Sequence, residues 1–274
     1  MFSYPNSVIA TTNLDRQGER FTREQLELLV KNFPGKIPLN VEHDLSKPPI
    51  GYVKNLRLVP FGKGFRVLGD IYSETELPEG QGISISAKET GNIPTDTDVI
   101  VYLPWPSYND SELWAQIEKQ NGLAVGRLQK KGIPSSTLGF VTVDSALIVA
   151  TALFFIAPEW QIQYEKQVRP QIVKGVRTIK AILAKRYIVS DILLTFRESD
   201  GNKIELLLIP GKKYSDAGLE QGVIDKAVSS AVEYSVKNIN SQIKKMRSVY
   251  YPERDCYEIV TVEHTDGNVI HVVP

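Results

Sequence analysis

Three kinds of residue in this chain have the makings of hydrolytic chemistry. The first is His43, in Ile37-Pro38-Leu39-Asn40-Val41-Glu42-His43-Asp44, where an apolar strand ends just before Pro48-Pro49-Ile50-Gly51. An imidazole fixed at a strand end suits general-base work near neutral pH. The second is the pair Ser84 and Ser86 in Gly82-Ile83-Ser84-Ile85-Ser86-Ala87. Serines alternating with apolar residues share one face of a strand. A serine hydroxyl is a weak nucleophile until a base takes its proton, so a serine of this kind needs a histidine. The 41 residues between His43 and Ser84 are no obstacle, because such pairs meet in space. The third kind is an aspartate that could orient the base. Asp144 lies in Val143-Asp144-Ser145-Ala146-Leu147, and Asp98 lies in Thr97-Asp98-Val99-Ile100-Val101. Taken singly, each feature also has an ordinary reading, a packed histidine or the wet face of a strand.

The elements that must position these residues follow from patterning. Phe2 to Ala10 reads as a strand, and Phe21 to Phe33 as a helix, with Phe21, Leu26, Leu29, Val30 and Phe33 on one face. Thr22 and Gln25 form a capping-box pattern, and Pro34-Gly35 ends the helix. Short strands are expected over Ile37–Val41, Ile50–Leu58, Gly64–Tyr72, Gly82–Ala87 and Asp98–Leu103. A helix is expected from about Ser111 to Gln120, capped by Asp110 or Ser111. Gln129 to Leu138 reads as a loop, and Val141 to Ile156 returns to buried β character. Beyond Pro158 the pattern gives a basic amphipathic helix, about Gln163 to Lys185, with a kink at Pro170. Strands at Ile188–Arg197 and Lys203–Ile209 flank a hairpin turn, Ser199-Asp200-Gly201-Asn202. A long helix, about Asp216 to Met246, then precedes a hairpin turning at Thr265-Asp266-Gly267-Asn268. His264 and His271 flank that turn and read as exposed.

Composition narrows the classes. The chain has 274 residues, 42% hydrophobic and 23% charged, the balance of an ordinary globular protein. Lys plus Arg total 32 and Asp plus Glu total 32, and each half of the chain is close to neutral. No basic excess points to nucleic acid. The single cysteine, Cys256, forms no internal disulfide, and no Cys/His zinc spacing exists. The apolar run Ser145 to Ala157 is shorter than the roughly 20 residues of a membrane span, so it reads as core strand. No signal peptide is evident at the N-terminus. These observations predict no nucleic acid, no membrane and a reducing compartment, and serine-based hydrolysis by the residues above would need no cofactor.

Taken together, His43 and Ser84 carry a family resemblance. The chain resembles the capsid-maturation serine proteases, the herpesvirus assemblins and the prohead proteases of tailed phages. Pro38-Leu39-Asn40-Val41-Glu42-His43-Asp44 followed by Ile50-Gly51-Tyr52-Val53 is similar to the assemblin histidine motif and its succeeding strand. Gly64-Phe65-Arg66-Val67-Leu68-Gly69-Asp70-Ile71 resembles the next strand, and Gly82-Ile83-Ser84-Ile85-Ser86 resembles the nucleophile motif. The likeness runs from residue 2 to about residue 90, with an echo at Pro158-Glu159-Trp160. It implies Ser84 as nucleophile and His43 as base. The third member stays open. Assemblins use a second histidine, phage relatives an acidic residue, and no histidine follows Ser84 until His264. Asp144 is the first candidate and Asp98 the rival. Gly126-Arg127 is the only pair comparable to the family's oxyanion element, and it precedes Asp144.

The expected fold is therefore α+β. Residues 1–157 form a β-barrel-like serine protease domain with flanking helices, and residues 158–274 form a smaller α+β interaction or oligomerisation domain. The expected function is a serine endopeptidase acting on a scaffold or capsid-type protein, or on itself, in a bacterial host cytoplasm or assembling procapsid. Self-association is implied as the activity switch, hence a homo-oligomer. The alternative is a non-catalytic assembly or sensing protein of protease-like fold, whose C-terminal domain binds a partner.

Overall fold

The computed structural model describes residues 1–13, 20–32, 35–39, 49–77, 84–89, 96–104, 107–120, 122–132, 145–156, 158–183, 189–198, 201–210, 215–238 and 241–272. The chain is mixed α+β and divides into two compact units. The first comprises Met1–Ala87, Lys130–Val143 and Asp266–Asn268. The second comprises Lys88–Gln129, Asp144–Thr265 and Val269–Pro274.

In the first unit, β1 (Phe2–Thr11), β2 (Ile37–Leu39), β3 (Gly51–Phe61) and β4 (Gly64–Ser73) form an antiparallel sheet in the order β1-β4-β3-β2. No pairing among the described residues closes this sheet into a barrel. Helix α1 (Arg23–Asn32) packs on β3 and β4. Its start carries the expected capping box. The Thr22 amide donates to Gln25 Oε1 at 2.8 Å, and the Gln25 amide donates to Thr22 Oγ1 at 3.3 Å. Ile9, Phe21, Leu26, Leu39, Val53, Val67 and Ile71 make the core. Gly51, which opens β3, has no room for a side chain, since a Cβ there would lie 2.0 Å from the Tyr72 carbonyl oxygen. On the edge strand, Pro5 and a positive φ of 57° at Asn6 accompany a register shift, which spoils that edge for further pairing.

The second unit is built on one large mixed sheet. Its strands are β6 (Val99–Pro104), β7 (Leu123–Gly132), β8 (Ser145–Ala150), β10 (Val189–Arg197), β11 (Lys203–Ile209), β12 (Ile243–Tyr251), β13 (Cys256–His264) and β14 (Val269–His271). The order is β14-β13-β12-β11-β10-β8-β6-β7, with β5 (Ser84–Glu89) beside β7 and β9 (Phe154–Phe155) beside β10. Parallel pairs need crossover helices. Helix α2 (Ser111–Glu118) joins β6 to β7, and α3 (Trp160–Gln163) with α4 (Arg169–Leu183) joins β8 to β10. After the short helix α5 (Ser215–Gly218), α6 (Gln221–Lys237) joins β11 to β12. The core joins Val99, Val101, Leu103, Ala146, Ile148, Ile192, Leu194 and Phe196 from the sheet to Ile172, Val176, Ile179, Val223, Ala227 and Ala231 from the helices. The apolar face expected of the amphipathic helix is thus the face of α4 turned to the sheet, as is the face of α6 that carries Val223, Ala227 and Ala231. Phe154 anchors one end, with ring centroids of Trp160, Tyr164 and Phe196 at 5.9, 5.7 and 5.4 Å.

Several expectations need correction. Pro158 lies inside the second unit, because β8 pairs in parallel with β10 and cannot be parted from it; this unit is also the larger of the two. The long helix expected to reach Met246 ends at Lys237, and Ile243–Tyr251 is strand β12, hairpinned to β13. Gln129 to Gly132, read as loop, completes β7. Pro170 produces a π turn, Tyr164–Val168, and the Arg169 amide donates to the Tyr164 carbonyl. Proline supplies no amide to the carbonyl four residues back, and the preceding turn widens instead. The apolar run from Ser145 is β8 and β9, and no described helix is long and apolar enough to cross a membrane.

Candidate functional site

The proposed nucleophile opens β5. Ser84 is the first residue of that strand and Ser86 the third, so both serines lie on a strand, as their alternation requires, while Gly82 and Ile83 lie outside the described residues. The chain passes from the first unit to the second within β5, after Ala87. His43 and Asp144 lie outside the described residues. Leu39, the end of β2, stands four residues before His43, and Ser145, the start of β8, directly follows Asp144. Gly126 and Arg127 lie on β7, in register with Tyr102 and Leu103 of β6.

Asp98 has a defined place. Its Oδ2 accepts from Lys174 Nζ of α4 at 3.0 Å. Its amide donates to the Gly122 carbonyl at 2.7 Å, and its carbonyl accepts from the Thr151 amide at 3.0 Å. Gly122, at φ 74°, closes over this pair, and a Cβ there would lie 2.2 Å from Asp98 Oδ2. The carboxylate that rivals Asp144 therefore holds α4 to the start of β6. Both partners are partly exposed, so the pair contributes modestly to stability. His271 is exposed, as expected. His264 is half-buried, with Nδ1 against the Ser241 carbonyl, so the expectation of exposure fails there.

Sequence reasoning missed two polar clusters, because each joins side chains far apart in the chain. In one, Asp225 of α6 accepts from Tyr164 Oη at 2.8 Å, from Arg169 Nε at 3.0 Å and from Gln221 Nε2 at 2.6 Å. It ties the π turn to α6. In the other, Tyr52 and Tyr72 stack across β3 and β4, with centroids 5.1 Å apart and planes 17° apart. Lys36 Nζ lies 4.8 Å from the Tyr52 centroid and Lys54 Nζ 4.5 Å from that of Tyr72.

Burial, reinforced by Asp225, pushes the Tyr164 phenol far above its ordinary value of 10.0. Burial does the same to Tyr257, whose hydroxyl donates to the Gly218 carbonyl at 2.8 Å. The folded chain keeps both protons where the unfolded chain loses them. Their stabilisation is complete below about pH 10 and is lost as pH rises above it. Urea midpoints are expected to fall above that pH, and to fall less in a Tyr164→Phe, Tyr257→Phe double variant. Parallel pH profiles for the two chains would show that these phenols do not matter.

Among the described residues no group of three or more His, Cys, Asp or Glu side chains is placed to hold a metal ion. No family model, curated protein or solved structure matches the chain.

Proposed function

We propose that the chain is a serine endopeptidase of the capsid-maturation kind. Ser84 is the nucleophile, His43 the base and then the acid, and Asp144 the residue that orients the imidazole. The barrel-like protease domain is the one that carries β1 to β4, and its substrates are scaffold or capsid-type proteins, or the chain itself. The observation that carries this reading is that Gly82-Ile83-Ser84-Ile85-Ser86 leads into a strand at Ser84. It is supported by the order of strand, capped helix, Pro38-Leu39 strand and Gly51-Tyr52-Val53 strand before it. Hydrolysis would run through an acyl-enzyme without metal or organic cofactor. A cytoplasmic or procapsid setting and self-association follow from the same reading.

The Asp98–Lys174 pair favours Asp144 over Asp98 for the third role, since Asp98 already serves a cation. The test is cleavage of a co-expressed capsid-type protein, or of the chain itself, by asparagine variants at the two positions. Asp144→Asn should cut the rate steeply, by about 10⁴-fold where a triad aspartate sets the tautomer. Asp98→Asn should leave the rate within about twofold and lower stability by at most about 1 kcal/mol. The reverse ranking would move the role to Asp98, and two mild effects would leave a dyad.

A second reading has its own observation. The larger unit, Lys88–Gln129, Asp144–Thr265 and Val269–Pro274, contains neither His43 nor Ser84, although Ser84 opens β5, a strand of its sheet. A non-catalytic assembly or sensing protein, binding a partner through that unit, would use such an arrangement.

A further inference from the structure

The sheet of the first unit has two unlike faces. Val53 and Ile71 point to the core under α1, so Tyr52 and Tyr72, at alternate positions, belong to the other face. There Pro38, Tyr52, Tyr72 and Ser3 form one row across β2, β3, β4 and β1. The tyrosines stack, and each ring also carries a lysine ammonium, Lys36 on Tyr52 and Lys54 on Tyr72. All four side chains are half-buried. Lys36 Nζ has one further hydrogen bond, 3.4 Å to Asn268 Oδ1. In the next row on this face Lys54 stands opposite Asp70, and beyond it Arg57, opposite Leu68, donates to Asn6 Oδ1. Asp70 is occupied by the Asn6 amide at 3.0 Å and Asn55 Nδ2 at 2.8 Å, and those hydrogen bonds hold its carboxyl below the usual range. Lys36, Lys54 and Arg57 are thus gathered beside Asp70, a carboxylate already committed, in a chain whose net charge is zero.

We propose that Lys36, Tyr52, Tyr72 and Lys54 form a subsite that selects acidic, extended peptides as substrates; this rests on the endopeptidase reading. The ammonium groups rest on ring faces, and Lys54 meets Asp70 only at longer range, so an incoming carboxylate gains a close ion pair without breaking one. The site stands next to the chemistry along the chain. β2 includes Pro38 and ends at Leu39, four residues before His43, and four residues reach at most about 14 Å. A nucleic-acid ligand fits less well. Sequence-tolerant binding of single strands needs open aromatic faces for the bases, and each of these rings is engaged by the other ring and by an ammonium.

The test uses the full chain with Ser84→Ala and two fluorescein-labelled peptides, one alternating Glu with Thr and one alternating Gln with Thr. Fluorescence anisotropy should show the Glu peptide bound about tenfold more tightly, with the preference fading at high salt. Lys36→Glu with Lys54→Glu should abolish or invert it, and Lys36→Gln with Lys54→Gln should flatten it without reversing charge. Equal affinities, or a preference indifferent to both double variants, would overturn the subsite. So would an oligo-dT strand that binds more tightly than the Glu peptide and loses affinity in the same variants. Cleavage separates the two claims. A wild-type chain that cuts both peptides at equal kcat/KM is an endopeptidase without this selectivity. One that binds the Glu peptide selectively but cuts neither keeps the selectivity and overturns the endopeptidase reading.

Discussion

Ser84→Ala is expected to abolish cleavage of a co-expressed substrate or of the chain itself, with the fold unchanged. Removing the nucleophile of a serine hydrolase costs about 10⁴-fold or more in rate, because the remaining groups act only as a unit with it. The change removes one hydroxyl from the first residue of β5, so the far-UV spectrum and urea midpoint should stay close to those of the wild type. Ser86→Ala should remain active. A fluorophosphonate should label the wild type on Ser84 and leave Ser84→Ala unlabelled, as expected for a hydroxyl activated by a neighbouring base. Equal cleavage by wild type and Ser84→Ala would end the endopeptidase reading. A dead Ser86→Ala with an active Ser84→Ala would instead shift the nucleophile by two residues along the same strand. These experiments bear the weight because no family model or relative matches the chain. The functional reading stands on the residues themselves.

Local chemistry was legible in the sequence where neighbours decide the structure. Thr22 and Gln25 announced a capping box and make one, and Asp110 caps α2 by accepting from the Leu113 amide at 2.9 Å. Strand β11 runs over the residues its pattern gave, Lys203–Ile209, with Gly201 at φ 91° in the turn before it. The errors arose where distant partners decide. Residues after Lys237 continue a helix-compatible spacing, but Asn238 ends α6, and the Ser241 amide donates to the Asn238 carbonyl in a turn. Ile243 and Met246 are buried against the sheet core instead, as residues of a strand paired on both sides. Gln129-Lys130-Lys131-Gly132 is polar enough to read as loop, yet the ladder of β7 carries it. The same distinction holds at the site. The strand bearing Ser84 was visible in its alternation, whereas the Lys174 partner of Asp98 is 76 residues away and left no local signal. The Tyr52–Tyr72 stack was hidden for the same reason, since it depends on the register of β3 against β4.

A C-terminal piece beginning at Pro158 is expected to be unfolded, and one beginning at Lys88 to fold. Cutting at Pro158 removes β6, β7, β8 and β9 from the sheet and leaves one edge of β10 unpaired. Five parallel register pairs between β8 and β10, from Val189↔Ser145 to Leu193↔Val149, would be lost. So would the apolar floor beneath α4, made by Val99, Val101, Leu103 and Ile148, each at most 1% exposed. Burying one such side chain contributes about 1.5–3 kcal/mol, so these four account for roughly 6 kcal/mol or more. That is comparable with the whole stability of a domain, about 5–15 kcal/mol. Ile172, Val176 and Ile179 of α4 would then face water along a stripe built for a core. Residues 88–274 keep the whole chain of the second unit, and with it those strands and that floor. Urea unfolding followed by circular dichroism should be cooperative for 88–274 and featureless for 158–274. Cooperative unfolding and protease resistance of the shorter piece would restore Pro158 as a domain boundary. They would also mean that β10 to β14 with α4 and α6 close a core without β6 and β8.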